Sequence, residues 1–173
     1  AVNKNGVIHC HKDVGLVSAV FNQEILDNMP GSMAIGHVRY STTGDTRREN
    51  AQPLVSRYQK GSFALAHNGN LVNIAKLRSD LEEQGAIFQT TNDSEIIAHL
   101  MAKERIHTNS TAEAVLRIMN IISGAYSLII MTPHRMVVAR DPQGFHPLSI
   151  GKIKNSWVFA SETCAFQAVG ATF

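Results

Sequence analysis

The last third of the chain constrains the fold most. Four short apolar segments, Tyr126 to Met131, Met136 to Arg140, Leu148 to Ile153 and Trp157 to Ala160, are separated by turn signals at Pro133-His134, Asp141-Pro142-Gln143-Gly144 and Lys154-Asn155. Connections this tight join antiparallel neighbours, because a parallel pair needs a crossover of about a dozen residues or more. Upstream, Leu54 to Tyr58 and Ser62 to His67 read as a hairpin around Lys60-Gly61. Gly6 to Cys10 reads as a short strand and Met33 to Tyr40 as a buried one, while Ser41 to Pro53 is the longest loop. Helical spacing runs through Val17, Val20, Phe21, Ile25 and Met29, through Asn73 to Gln84, and through Ser94 to Lys103. A capping box at Ser110-Thr-Ala-Glu113 starts another helix, and Glu162 to Val169 forms a short last one. Strands in antiparallel runs with helices between them predict an α+β domain of antiparallel sheets covered by helices. A doubly wound nucleotide fold is excluded, since regular strand–helix alternation is missing and the chain holds neither G-x-G-x-x-G nor G-x-x-x-x-G-K-[ST].

Composition narrows the partners. The 173 residues carry a net charge of +2, and their Lys and Arg are scattered, so neither nucleic acid nor an anionic membrane is an expected partner. The apolar runs are far too short to span a bilayer. Two cysteines, Cys10 and Cys164, do not make a disulfide scaffold, which points to a reducing cytoplasm and to buried packing roles for both. His9-Cys10-His11 offers no second pair at ligand spacing, so no metal is expected there.

Four polar stretches stand out, each with a plain structural reading and a functional one. Arg39 ends the apolar segment Ile35 to Val38, where a guanidinium either pairs locally or grips a carboxylate through two parallel hydrogen bonds. Asn68-Gly69 is the strongest short hairpin signal. It is also a side-chain amide beside a glycine N–H, the neutral donors of an oxyanion hole. Thr90-Thr-Asn-Asp93-Ser94-Glu95 is ordinarily a helix N-cap, yet Asp93 is also a carboxylate able to receive an ammonium. Arg39 and Asp93 together would recognise the two charged ends of an α-amino acid. Asp141-Pro142-Gln143-Gly144 reads as a structural type I turn.

Taken in order, IGHVRYSTTG at 35–44, NAQP at 50–53, AHNGNL at 66–71, NDSEII at 92–97, GAYSL at 124–128, RDPQGFHPL at 140–148 and ASETCA at 160–165 resemble the glutaminase domain of the amidophosphoribosyltransferases. These are class II glutamine amidotransferases. The resemblance runs from Val7 to Phe173, and Tyr40 departs from the glucosamine-phosphate synthase type, which carries Trp after the arginine. It implies a four-layer αββα N-terminal-nucleophile hydrolase sandwich with antiparallel sheets. It implies that Arg39 holds the glutamine α-carboxylate with Thr42 nearby, that Asp93 holds the α-ammonium, and that Asn68 and Gly69 form the oxyanion hole. The implied reaction releases ammonia from glutamine for transfer to phosphoribosyl pyrophosphate, the first committed step of purine synthesis, in a cytoplasmic homo-oligomer.

The family's nucleophile is an N-terminal cysteine followed by glycine, whose α-amine has a pKa of about 7.7–8.0 and serves as base. Here the chain opens Ala1-Val2-Asn3-Lys4, so residues 1–173 are expected to lack the cysteine strand and the phosphoribosyltransferase domain. No cofactor is expected in this region. Magnesium belongs to the transferase domain, and the iron–sulfur cluster of some members has its ligands elsewhere. His146 replaces the family's usual Arg. Three other readings compete: a fragment that binds glutamine without hydrolysing it, another class II amidotransferase, and Cys10 as the nucleophile, which His11 in place of glycine disfavours.

Overall fold

The computed structural model describes residues 1–39 and 47–173. Its centre is a four-stranded antiparallel sheet in the order β4–β5–β6–β7, formed by Leu54–Tyr58, Gly61–Leu71, Gly124–Met131 and Met136–Arg140. A three-stranded sheet places β1 (Val2–Lys4) between β2 (Val7–His9) and β3 (Met33–Ala34). The hairpin of β8 (Ser149–Ile153) and β9 (Ser156–Ala160) forms a third sheet, against which the short α6 (Cys164–Val169) buries Phe166. Every strand pair among the described residues is antiparallel; the expected pairing across the Asp141 turn is corrected, because β7 and β8 lie in different sheets.

Strand β5 sorts the core by alternation. Phe63, Leu65 and Leu71 face helices α3 (Ile74–Glu83), α4 (Asp93–Ile106) and α5 (Thr111–Met119), joining Leu81, Ile97, Met101 and Ile118 in the main core. Ala64 and Ala66 face the opposite way, into a second core with Ala1, Ile35 and Met131 and, at its rim, Ile8, Met33 and Ile129. Two sheets thus pack face to face, and the small alanines leave room for the second sheet. Short helices α1 (Val17–Val20) and α2 (Gln23–Asp27) line a cleft with Val2 and Ala34 of that second sheet. The layers run helix, sheet, sheet, helix.

Several local expectations are corrected. The predicted helix over Val17 to Met29 is two short ones, because Phe21 is extended and the Asn22 side chain caps α2 by accepting from Ile25 N at 2.9 Å. Of the strand expected over Met33 to Tyr40, Tyr40 lies outside the described residues and the rest is regular only at Met33–Ala34; Ile35 is buried but Val38 is exposed. Strand β1 gives no apolar signal, since its central Asn3 is a buried polar residue that donates to Pro133 O and accepts from Gly6 N. Cys10 and Cys164 are exposed rather than buried packing residues. Asn68-Gly69 is not a turn at all but lies inside β5.

The Asp141 turn is structural as expected. Its buried carboxylate accepts from Gly144 N at 2.7 Å and from Tyr126 N at 3.3 Å. Burial pushes its pKa up, but backbone N–H donors at Tyr126, Phe145, Gly144 and Gln143 outweigh this and hold it below the usual carboxylate range. A depressed pKa contributes stability that is complete above about pH 3.9 and is lost as the pH falls through the folded-state value. Asp141→Ala strands the Tyr126 N–H and is expected to cost about 2–3 kcal/mol. Urea melts at pH 7 and pH 3 check this: the variant should be less stable than the parent at pH 7, with the gap narrowing in acid.

Candidate active site at the edge of the central strand

The site follows from an inequality of strand lengths. β4 pairs with β5 from Tyr58↔Gly61 to Leu54↔Leu65 and then ends, whereas β5 continues to Leu71 against β6. The edge of β5 from His67 to Leu71 therefore extends past its neighbour. Tyr126 shows which backbone groups face that edge. Its N–H donates to Asp141 Oδ2 and its carbonyl accepts from Asp141 N, so both turn toward β7 and away from β5. Gly69, opposite Tyr126, therefore belongs to a non-hydrogen-bonded pair. His67, Gly69 and Leu71 direct their N–H groups to the open edge.

Three different fates meet these groups. The Gln52 carboxamide clasps His67, accepting from His67 N at 2.7 Å and donating to His67 O at 3.1 Å. The Asp93 carboxylate accepts from Leu71 N at 3.2 Å. Gly69 lies between them, its N–H facing the edge where β4 no longer runs. A side chain there would collide with Ala125 O and Tyr126 Cα, which explains glycine at this position. The Asn68 side chain, on the sheet face shared with Ala66, donates from Nδ2 to Ser161 Oγ at 3.4 Å.

Asp93 opens α4, while the capping itself falls to Asn92, whose side chain accepts from Ser94 N at 3.0 Å. The Asp93 carboxylate is thereby released toward β5. There Oδ1 lies 3.4 Å from His67 Nδ1, which also lies 3.1 Å from Ser94 Oγ. Burial pushes the Asp93 pKa up. His67 and the N–H groups of Leu71 and Ser94 outweigh that, so the carboxylate titrates below its usual range.

Arg39 is exposed and lines a cleft of about 590 Å³ with Gln52, Pro53, Lys12 and the apolar side chains of α1 and α2. Asn68, Gly69 and Asp93 do not line that cleft; Gln52 belongs to both regions. His37 links them electrostatically. Burial lowers its pKa, a hydrogen bond to the His67 backbone raises it, and the nearby His67 and Arg39 lower it further. Gly69 and Asp93 thus meet at one edge of β5, Asn68 projects toward Ser161 from the adjacent position, Arg39 lines the separate cleft, and Thr42 lies outside the described residues. Among the described residues no cluster of three or more His, Cys, Asp or Glu is placed to hold a metal. No helix among them is long and apolar enough to cross a membrane.

The whole ordered set of motifs matches a known domain. Residues 37–168 match the glutamine amidotransferase domain family. The chain belongs to that family. It is 49% identical to the amidophosphoribosyltransferase of Bacillus subtilis over 94% of this chain and 34% of the relative. It is 47% identical to the chloroplastic amidophosphoribosyltransferase 2 of Arabidopsis thaliana over 99% of this chain and 30% of the relative. The solved structure of the B. subtilis glutamine phosphoribosylpyrophosphate amidotransferase, complexed with ADP and GMP, superposes with a TM-score of 0.90 at 46% identity, covering 99% of this chain and 36% of that one. This glutamine amidotransferase domain spans about a third of the length of these relatives. Its antiparallel α+β architecture is the expected one.

Sequence reasoning gave no role to Gln52, His67 or His37. No local signal marks Gln52, whose partner His67 lies 15 positions away. Replacing His67 with Phe removes one of the groups holding Asp93 ionised, so the Asp93 pKa should rise. Carboxyl carbon NMR titration measures it; an unchanged midpoint would show that the 3.4 Å contact has no electrostatic effect.

Proposed function

We propose that this domain is the glutaminase portion of an amidophosphoribosyltransferase, releasing ammonia from glutamine for transfer to phosphoribosyl pyrophosphate to make phosphoribosylamine. The observation that carries the proposal is the β5 edge, where the Gly69 N–H lies two residues from the Leu71 N–H that binds the ionised Asp93, with the Asn68 amide projecting from the adjacent position. Asp93 receives the substrate ammonium, and Arg39 receives the α-carboxylate. The reacting carbonyl then lies at Asn68 Nδ2 and Gly69 N–H, where negative charge develops as the amide is attacked.

The nucleophile in this reading is a cysteine upstream of Ala1, whose thiolate forms the acyl-enzyme while its α-amine carries the proton to the leaving ammonia. Water then releases glutamate. A homologous solved structure, 49% identical over 91% of this chain, is described as the allosteric regulatory enzyme of purine biosynthesis, which supports the same pathway here. In this reading the full protein is a cytoplasmic homo-oligomer.

The test compares glutamate release by residues 1–173 with release by a form extended upstream to its Cys-Gly start. Turnover is expected only from the extended form. Turnover by the shorter form that disappears on Cys10→Ser would overturn the assignment in favour of Cys10. In the full-length enzyme Asn68→Ala is expected to lower kcat about 10²–10³-fold with a smaller change in KM. Arg39→Lys is expected to raise the KM for glutamine while ammonia-dependent synthesis survives, because lysine keeps the charge but loses the fork. Equal loss of both activities would make Arg39 structural.

A further inference from the structure

We infer that Gln52 is a positioning residue: its carboxamide stands in for a strand partner at His67 and thereby keeps the neighbouring Gly69 N–H uncovered and fixed. This rests on the oxyanion role proposed for Gly69. The register makes the substitution visible. Leu54 pairs with Leu65, so a continued β4 would set residue 52 opposite His67 and residue 50 opposite Gly69. It does not continue, since residues 48–50 turn into a single 3₁₀ turn. A primary carboxamide offers one donor and one acceptor on a planar group, as a peptide unit does. Gln52 uses both on the two backbone groups of one residue, and it is 8% exposed, so neither bond is exchanged for water. The side chain completes the ladder for one residue and stops. A backbone strand in its place would carry on and cover Gly69.

The same segment steadies the other end of the site. Asn50, 2% exposed, donates from Nδ2 to Thr91 Oγ1 at 3.4 Å and accepts from Thr91 N at 3.3 Å, while its carbonyl accepts from Asn92 Nδ2 at 3.2 Å. Thr91 and Asn92 lead directly into Asp93. Residues 50–52 therefore tie the strand carrying the Asn68–Gly69 donors to the helix start carrying the carboxylate.

This division predicts which kinetic constant each contact moves. Gln52→Ala frees the His67 backbone, displaces Asn68 and Gly69, and is expected to lower kcat for glutamine about 10–100-fold with KM changed less than threefold. Gln52→Glu keeps the acceptor but sets a carboxylate oxygen against the His67 carbonyl and is expected to lose as much. Ammonia-dependent synthesis is expected to be unchanged in both variants. Amide exchange at His67, measured on the same full-length proteins, is expected to speed up.

If the unsubstituted enzyme does not use glutamine, the proposed function fails and the inference with it. If it does, and Gln52→Ala exchanges faster at His67 but keeps its kcat, the inference alone is overturned. A rise confined to KM, equal loss of the ammonia-dependent activity, or melting of both variants below the assay temperature would each show an ordinary structural strut and overturn it as well.

Discussion

The eleven residues of β5 run beside only five of β4, and the site depends on how the surplus edge is satisfied. A buried strand edge carries backbone donors and acceptors that must find partners, and an unpaired group costs about as much as a lost hydrogen bond. This chain meets the demand with side chains. Gln52 takes His67, Asp93 takes Leu71, and Gly69 is left between them with its N–H toward the edge. Because residues two apart on a strand are separated by about 6.8 Å, the free donor and the carboxylate sit at a spacing set by the backbone.

Alternation along the same strand sets what surrounds this edge. Odd-numbered positions place Phe63, Leu65 and Leu71 against the helices, and His67 follows them to meet Asp93 and Ser94 at the start of α4. Even-numbered positions place Ala64, Ala66 and then Asn68 on the side of the second sheet. One strand thus sends a carboxamide donor to one face, an imidazole to the other, and a backbone N–H between them. The start of α4 adds to this, since a carboxylate in the first turn of a fourteen-residue helix is favoured by the helix dipole. Asn92 caps that helix, and so Asp93 does not have to.

Element types were legible where a periodic apolar pattern met a clear boundary. The Ser110 capping box is an example: its hydroxyl accepts from Glu113 N at 3.1 Å, and α5 follows where the spacing put it. Among the last four strands the hairpins β6–β7 and β8–β9 were legible for a similar reason, but the Asp141 turn between β7 and β8 passes from one sheet to another instead of pairing its neighbours. Polar residues with long-range partners were not legible. Asn3 looks like a loop residue until Pro133, 130 positions away, is seen to accept its amide. Asn68-Gly69 carries the composition of a turn, but its neighbours on β6 hold it in a strand, which no local propensity expresses. Asn68, Gly69 and Asp93 could be named as candidates because their chemistry is recognisable in isolation; Gln52 could not, because it acts only on another residue's backbone.

Placing the proposed donors inside a strand rather than on a loop has an energetic consequence. Donors aimed at a developing charge help most when they need not reorganise as the charge appears. Gly69 is held by its close approach to Ala125 and Tyr126 on one side, and by its chain neighbours His67 and Leu71, each bonded at the edge, on the other. Tyr126 is itself fixed through both backbone groups to the buried Asp141 turn. The turn between β7 and β8, remote in sequence from every candidate site residue, therefore braces the strand opposite Gly69. Loosening it would be felt at the donor as well as in overall stability.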